Sequence, residues 1–238
     1  MLTNLAPILL FVATAYANTE KAIFLGPATV NIPSAHPTLT DLHIDTLSPN
    51  NNWAIRTHLN AQFPNSSLPH GKATWLILDE LTEGQRYEVR VCWAATQPTE
   101  FKINTYELQT VFDTAELISE LSEYSWSRQP VETDNTSQFK SEKSVHVSDT
   151  EREASVLFLQ ILAAADYYTT NKTLMNHVPP VYVDIILDPF LLGVLPRSLL
   201  PTVGYIIVVA IASWFIARQI SIWIRNLGVE ETPEKKTQ

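Results

Sequence analysis

The sequence predicts a mainly β protein, with one β-sandwich followed by helices and a single transmembrane helix near the C-terminus. Three observations support this prediction. Residues 20–112 are rich in β-branched and aromatic side chains and are punctuated by Pro, Asn and Gly, as in short strands joined by turns. Two capping-box patterns, which are typical of helix N-termini, follow this region at Asp113 and Thr150. Residues 199–217 then form an uncharged run that reaches about 28 Å as a helix, enough to cross the hydrocarbon core.

The composition excludes several classes of protein. Of 238 residues, 45% are apolar and 17% charged, which excludes a uniformly disordered polar chain. The net charge is −9 and no stretch is strongly basic, so no nucleic-acid partner is expected. The single cysteine, Cys92, excludes an intrachain disulfide framework and a cysteine-rich zinc site. No dinucleotide fingerprint or P-loop motif occurs, and no cofactor is predicted.

The N-terminal residues 1–17 have the pattern of a secretory signal peptide. Residues 5–15 are apolar and lead into Ala15-Tyr16-Ala17, a small-x-small pattern, so cleavage is expected after Ala17. The apolar run is too short to span a bilayer and is interrupted by Pro7. The alternative is a buried N-terminal helix.

Residues 18–112 are predicted to form the β-sandwich. The candidate strands are Ala22–Ile32, Asp41–Leu47, Trp53–Phe63, Thr74–Leu78, Arg86–Ala95 and Glu100–Phe112. The sequence LTEGQRYEVRV at 81–91 resembles the junction of strands E and F in fibronectin type III domains. There a tyrosine hydroxyl pins the chain as it crosses between sheets. This resemblance implies a fibronectin type III or immunoglobulin-like sandwich, and two-residue periodicity places Tyr87, Val89 and Val91 on its core face.

Two features of the predicted sandwich are candidates for chemistry. On a strand, Asp41, His43 and Asp45 share one face and could bind a metal. A solvated strand face produces the same pattern, and no metal site or catalytic residue is predicted from it. Cys92 lies on the face opposite the core. We interpret it as an inert thiol rather than a nucleophile or an intermolecular disulfide, because no His or Lys lies near it in sequence.

A helix is predicted at residues 113–128. Asp113 and Glu116 have the spacing of a capping box. The apolar stripe of this helix consists of Leu117, Leu121 and Tyr124. Residues 129–149 are polar and are predicted to be a flexible linker.

Residues 150–197 are predicted to be apolar juxtamembrane helical segments. Thr150 and Glu153 repeat the capping-box spacing, and residues 154–165 are apolar nearly all round. As a helix this run would be about 18 Å long, too short to span a bilayer. It must therefore be buried in protein or lie in the membrane interface.

A second apolar segment, 181–197, is interrupted by prolines and leads to the span. Two apolar segments that cannot span, placed directly before a true span, favour docking onto another membrane protein. Leu191 and Leu192 are the predicted contact residues. The alternative is an amphipathic hairpin that rests on lipid.

Residues 198–224 are predicted to be the transmembrane helix, and residues 225–238 a cytosolic tail. Leu199 to Ala217 carry no charge, and only Arg197 lies close before them. The basic residues that follow this run are Arg218, Arg225, Lys235 and Lys236. The positive-inside rule and the signal peptide therefore agree on a type I topology, with the N-terminus in the lumen.

Two further patterns concern the subcellular localisation of the protein. Lys235 and Lys236 lie third and fourth from the end, like the dilysine retrieval signal of endoplasmic reticulum (ER) membrane proteins. The glycosylation sequons begin at Asn65, Asn135 and Asn171. Together these patterns predict a single-pass ER membrane protein whose middle part is lumenal.

Three stretches of the sequence resemble a known family. They are EKAIFLGPATVNIP, GQRYEVRVCWAATQPTEF and LDPFLLGVLPRSLLPTVGYI, and they resemble the fungal accessory-subunit, or co-activator, family of GPI mannosyltransferase 2. The resemblance covers residues 20–217. It implies an ER protein that partners a multispanning mannosyltransferase, which adds the second mannose to the glycosylphosphatidylinositol precursor. The family has no catalytic motif to carry over.

The residues themselves also favour a non-catalytic subunit. A transferase that uses a lipid-linked donor and a lipid-linked acceptor must hold both at the membrane, and a single span cannot enclose such a site. The expected partners are therefore the catalytic subunit and membrane lipid. The alternatives are a membrane-anchored lumenal hydrolase using Asp41, His43 or Asp45, and a fibronectin-like surface binding module. Absence of the GxSxG and HExxH motifs weighs against the first, and the dilysine pattern against the second.

Overall fold

The computed structural model describes residues 17–33, 38–129 and 152–229 and confirms the mainly β architecture. The strands are β1 Ala17–Leu25, β2 Val30–Ile32, β3 Thr46–Leu47, β4 Ala54–Leu59, β5 Lys72–Leu81, β6 Arg86–Ala94, β7 Thr99–Glu107, β8 Arg152–Ala165, β9 Val181–Leu191 and β10 Leu195–Pro196. The helices are α1 Leu108–Asp113, α2 Ala115–Arg128, α3 Lys172–Asn176 and α4 Leu200–Val229. Short 3-10 turns occupy Leu39–Leu42 and Arg197–Leu199.

These strands form two five-stranded sheets. In the first sheet the order is β1-β6-β9, and β9 also pairs with β4 and with β10. In the second sheet β8 lies between β5 and β7, β2 pairs with the first residues of β8, and β3 runs parallel to β5. The chain crosses from the second sheet to the first between β5 and β6.

The main core lies between the two sheets. Tyr87, Val89 and Val91 of β6 point into it, which confirms the periodicity prediction. The facing residues of the second sheet include Leu76, Leu78, Leu157, Leu159 and Ile161. A second core lies on the other face of β5 and β8, where Trp75 and Phe158 pack against Val111 of α1 and Leu121 of α2.

The prediction of helical segments at 150–197 is wrong. Arg152–Ala165 is the 14-residue strand β8, and Val181–Leu191 is the 11-residue strand β9. β8 is buried on both faces, by the first sheet on one side and by α1 and α2 on the other, so almost every side chain is apolar. A strand buried on both faces has no alternating pattern and cannot be told from a buried helix by periodicity.

Other predicted elements are also corrected. The predicted strand Ala22–Ile32 is divided into β1 and β2, which belong to different sheets, and the predicted strand Glu100–Phe112 ends at Glu107, where α1 follows. Most of the predicted strand Asp41–Leu47 is not a strand, because residues through Leu42 form a 3-10 turn and only β3 is extended. The backbone N–H of Thr38 donates to the Asp41 carboxylate at 2.6 Å, and this local bond competes with strand pairing. The helix predicted from Asp113 begins at Ala115, since the extended residue Thr114 separates it from α1.

A tyrosine corner closes the crossing from β5 to β6. The Tyr87 hydroxyl accepts a hydrogen bond from the Thr82 backbone N–H at 2.9 Å and donates to Gln85 Oε1 at 3.3 Å. This is the geometry that the sequence at 81–91 predicts. Assignment of the sandwich to the fibronectin type III or immunoglobulin class stays a prediction.

The strand directions give the sandwich two distinct ends. Leu59 pairs with Val181, so the loops 60–71 and 166–180 lie together at what we call the distal end. Tyr87 pairs with Pro189 at the other end, which includes the β9–β10 turn and leads into α4. We call this the helix-proximal end.

The helix α4 is long and apolar enough to cross a membrane. The most apolar 18-residue stretch within Arg197–Asn226 has a mean hydropathy of 2.2, and none of that stretch is buried. It is the one such helix among residues 17–33, 38–129 and 152–229. The predicted transmembrane segment 198–224 falls within Arg197–Asn226, which includes the 3-10 turn before α4.

Candidate functional site

Two buried carboxylates lie on the outer face of the first sheet, close to the start of α4. Glu88 of β6 is directly opposite Asp188 of β9, and each is 4% exposed. Arg90 bridges them, with Nε 3.3 Å from Glu88 Oε1 and Nη2 3.4 Å from Asp188 Oδ2. Lys21 Nζ lies 3.3 Å from Glu88 Oε2. Arg90 and Lys21 offset the repulsion between the two carboxylates, which would otherwise disfavour their placement on adjacent strands.

This group of charges also holds the segment that leads into α4. The Ser198 backbone N–H donates to the Asp188 carboxylate, with 3.3 Å to Oδ1 and 3.2 Å to Oδ2. Arg90 Nη2 donates to Ser198 Oγ at 3.1 Å. We call Lys21, Glu88, Arg90, Asp188 and Ser198 the junction cluster, because they join the sandwich to the beginning of the helix.

A cavity of about 360 Å³ adjoins the junction cluster. Its apolar walls are Pro49, Trp53, Leu187 and Pro189, and Asn50 and Arg197 are among its polar groups. Trp53 is 53% exposed, although it is large and aromatic. We call this the junction cavity. Sequence reasoning missed both the cavity and the cluster, because Glu88 and Asp188 lie far apart along the chain and meet only in the sheet.

The predicted contact residues Leu191 and Leu192 lie in the turn between β9 and β10. Leu192 is 100% exposed and adopts a positive φ of 51°, while Leu191 is 38% exposed. The Arg86 guanidinium packs over the Phe190 ring and its Nη1 donates to the Gly193 carbonyl at 3.1 Å. The turn is thus anchored to β6 and presents Leu192 at the helix-proximal end.

Two predicted glycosylation acceptors are exposed at the distal end. Asn65 Oδ1 accepts from the backbone N–H groups of Ser67 at 3.0 Å and Leu68 at 2.8 Å. Asn171 caps α3, since its Oδ1 accepts from the Thr173 N–H at 3.0 Å. Asn135, Lys235 and Lys236 lie outside the described residues, and the roles assigned to them stay predictions.

The three candidate ligands near residue 43 do not share a strand face. Asp41 is held by the Thr38 backbone, His43 adopts a positive φ of 52°, and Asp45 pairs with Arg128 at 3.0 Å. In the part of the chain that the structure describes, no three His, Cys, Asp or Glu side chains are grouped to hold a metal ion.

Cys92 is half-buried on the outer face of the first sheet. The Thr19 hydroxyl lies 3.5 Å from its Sγ, and Asp184 is its partner on β9. Its placement on the face opposite the core agrees with the alternation along β6.

Comparison with known proteins identifies relatives of the chain. The model of a family described as GPI-mannosyltransferase II co-activator matches residues 8–220. A GPI mannosyltransferase 2 subunit of Schizosaccharomyces pombe is 33% identical over 66 residues, which cover 28% of this chain. The match spans 37% of that relative's length. No solved structure matches the chain.

Proposed function

We propose that this chain, which belongs to the GPI-mannosyltransferase II co-activator family, is a non-catalytic accessory subunit of the ER GPI mannosyltransferase 2 complex. In this role it supports addition of the second mannose during GPI-anchor biosynthesis. The observation that carries the proposal is the family match, which includes both sheets and most of α4. The match does not favour the two alternatives, a lumenal hydrolase and a surface binding module. The Tyr87 corner supports a further proposal, that the sandwich is of the fibronectin type III class.

The partner that this role requires is a multispanning catalytic subunit. Lipid-linked substrates react at the membrane, and α4 alone cannot enclose them. Because β8 and β9 bury most of their apolar side chains inside the sandwich, a docking surface must use side chains that remain exposed. Leu192 and its neighbour Leu191 are such side chains, and they lie at the helix-proximal end, where a membrane partner is within reach.

We place the protein in the ER membrane as a single-pass type I protein with a lumenal sandwich. The exposed acceptors at the distal end support this topology, because a glycan there would not collide with the membrane or with a partner bound near α4. The Arg218 and Arg225 side chains, which follow the apolar part of the helix, support a cytosolic tail at 225–238.

The proposed type I topology predicts that the lumenal domain carries N-linked glycans. Endoglycosidase H should increase the gel mobility of the wild-type protein, and Asn65→Gln and Asn171→Gln should each remove part of that shift. An epitope placed after residue 229 should be accessible to protease in sealed microsomes. A protected epitope, or a protein without any glycan, would contradict the orientation.

The role is tested by deleting the protein and restoring it with variants. Without it, a GPI precursor carrying one mannose should accumulate, because the second transfer lacks its subunit. The double variant Leu191→Ser, Leu192→Ser should restore the transfer poorly and co-purify less of the catalytic subunit. Burial of one leucine contributes about 1.5–3 kcal/mol, so we expect at least a tenfold loss of affinity, mainly from Leu192.

The matched control is Leu174→Ser, which changes a partly exposed leucine at the distal end. It should restore mannose transfer and co-purification like the wild type. Accumulation of a different precursor in the deletion strain would reject the proposed function. Normal transfer and normal co-purification by the double variant would reject only the docking surface.

A further inference from the structure

We propose that the junction cavity binds the headgroup of an anionic membrane lipid, with the lipid phosphate at Arg197 and the rest of the headgroup against Trp53. This site lies within the chain itself and does not require the partner enzyme. It depends only on α4 crossing the membrane.

The cavity lies at the depth of the lipid headgroups. Arg197 and Ser198 line it, and the uncharged run begins at the next residue, Leu199. At about 1.5–2 Å per residue, the cavity is within about 5 Å of the point where the apolar helix begins. Each headgroup layer is about 5–8 Å thick, so the cavity faces headgroups rather than bulk water or hydrocarbon.

Asp188 and Arg197 are the charged residues that line the cavity, and of the two only Asp188 belongs to an ion pair among the described residues. In the junction cluster, the carboxylates of Glu88 and Asp188 are matched by the cations of Arg90 and Lys21. Arg197 adds a further cation, and no carboxylate among the described residues forms an ion pair with it. A guanidinium with free N–H groups is the side chain best suited to bind a phosphate, since it can donate two parallel hydrogen bonds.

The walls suit the uncharged part of a headgroup. Trp53, Pro49 and Pro189 provide an apolar surface, and the Asn50 amide adds a polar group. A volume of about 360 Å³ is at the small end of ligand pockets and fits a phosphate with its headgroup rather than a whole lipid. A half-exposed indole is also typical of side chains at the membrane interface.

The site is held in place before any ligand binds. Asp188 is 4% exposed and accepts the Ser198 N–H, which fixes the backbone directly after Arg197. Asp188 also lines the cavity, where its carboxylate is paired with Arg90, and it acts as a positioning residue for the backbone that carries Arg197. Binding should cost little ordering of the backbone, because the segment that carries Arg197 is already held against the first sheet.

The experiment uses the purified full chain in mild detergent, titrated with short-chain phosphatidylserine, short-chain phosphatidylcholine or inorganic phosphate. Binding is measured by native mass spectrometry. Phosphatidylserine should bind more tightly than phosphatidylcholine. Arg197→Gln should weaken phosphatidylserine binding at least tenfold, as expected for loss of a charge-assisted contact. Trp53→Ala should weaken it severalfold, and Trp53→Phe should restore much of the loss.

The matched control is Arg56→Gln, which removes an arginine from the outer face of the same sheet but outside the cavity. It should bind phosphatidylserine as the wild type does. The proposal is overturned if Arg197→Gln binds normally, or if both lipids bind equally. It is also overturned if inorganic phosphate displaces the lipid at equal concentration, since the site would then recognise a free anion.

Discussion

Replacement of Gly71 by alanine is expected to destabilise the sandwich by about 2–5 kcal/mol. Gly71 has a φ of +78°, where an L side chain costs about 1–2 kcal/mol. A Cβ at this position would lie 2.0 Å from the Ala163 carbonyl oxygen and 2.6 Å from Ala164 Cα. Both are backbone atoms near the end of β8, the central strand, so they cannot move aside, and overpacking adds about 1–3 kcal/mol.

The loss of stability in Gly71→Ala can be measured by denaturant unfolding of the full chain in detergent, followed by tryptophan fluorescence. The midpoint of the transition should move to a lower denaturant concentration. The matched control is Gly84→Ala. Gly84 has a similar φ of +71°, but nothing lies within 4 Å of the position that a methyl group would occupy there. This substitution should therefore cost only the backbone strain of about 1–2 kcal/mol. Equal losses in the two variants would show that the contact with β8 does not matter.

Replacement of Asp188 by alanine is expected to cost about 3–5 kcal/mol, the range measured when one partner of a buried ion pair is removed. Arg90 would keep Glu88 but lose its second carboxylate, and the Ser198 N–H would lose its acceptor. The segment before α4 would then lose one of its contacts with the first sheet and keep the hydrogen bond from Arg90 to Ser198 Oγ. The same unfolding measurement should report the loss, and hydrogen exchange should increase at residues 197–200.

Asp184→Ala provides the control on the same strand. Asp184 pairs with Arg56, whose Nε and Nη2 donate to it at 2.6 and 2.8 Å, but both side chains are substantially exposed. Asp184→Ala should therefore lower the free energy of unfolding much less than Asp188→Ala does. If the two variants lose the same stability, burial does not explain the importance of the junction cluster.

The Asp184 control also has a pH dependence. The hydrogen bonds from Arg56 hold the pKa of the Asp184 carboxyl below its usual value. A carboxyl whose pKa is lowered in the folded state contributes stability above its unfolded pKa, and that contribution is lost as pH falls through the folded pKa. The difference between wild type and Asp184→Ala should therefore vanish in acid.

Local patterns in the sequence were sufficient for several elements. The uncharged run after Leu199 required a helix of spanning length, because an unpaired backbone is not tolerated in lipid. The alternation at Tyr87, Val89 and Val91 predicted a strand with one face in the core, and Tyr87 predicted the crossing between sheets. In each case the signal lies within a few consecutive residues.

The tertiary structure decided what those patterns left ambiguous. The apolar run 154–165 was equally compatible with a buried helix, and only its position between β5 and β7 makes it a strand covered on both faces. This also changes the interpretation of the apolar segments before the span, because most of their apolar side chains are buried inside the sandwich. Fewer apolar side chains of these segments are therefore exposed than the sequence implied, and Leu192 is one of those that remain exposed.

By itself, the sequence determined the strand-rich middle, the tyrosine corner, a helix long and apolar enough to span a membrane, and the family to which the chain belongs. Only the tertiary structure brought Glu88 and Asp188 together, joined them to Ser198 and formed a cavity beside Arg197. The physical reason is the range of the interactions. Helix length and strand alternation follow from neighbouring residues, whereas a cross-strand ion pair depends on a register set by the whole core.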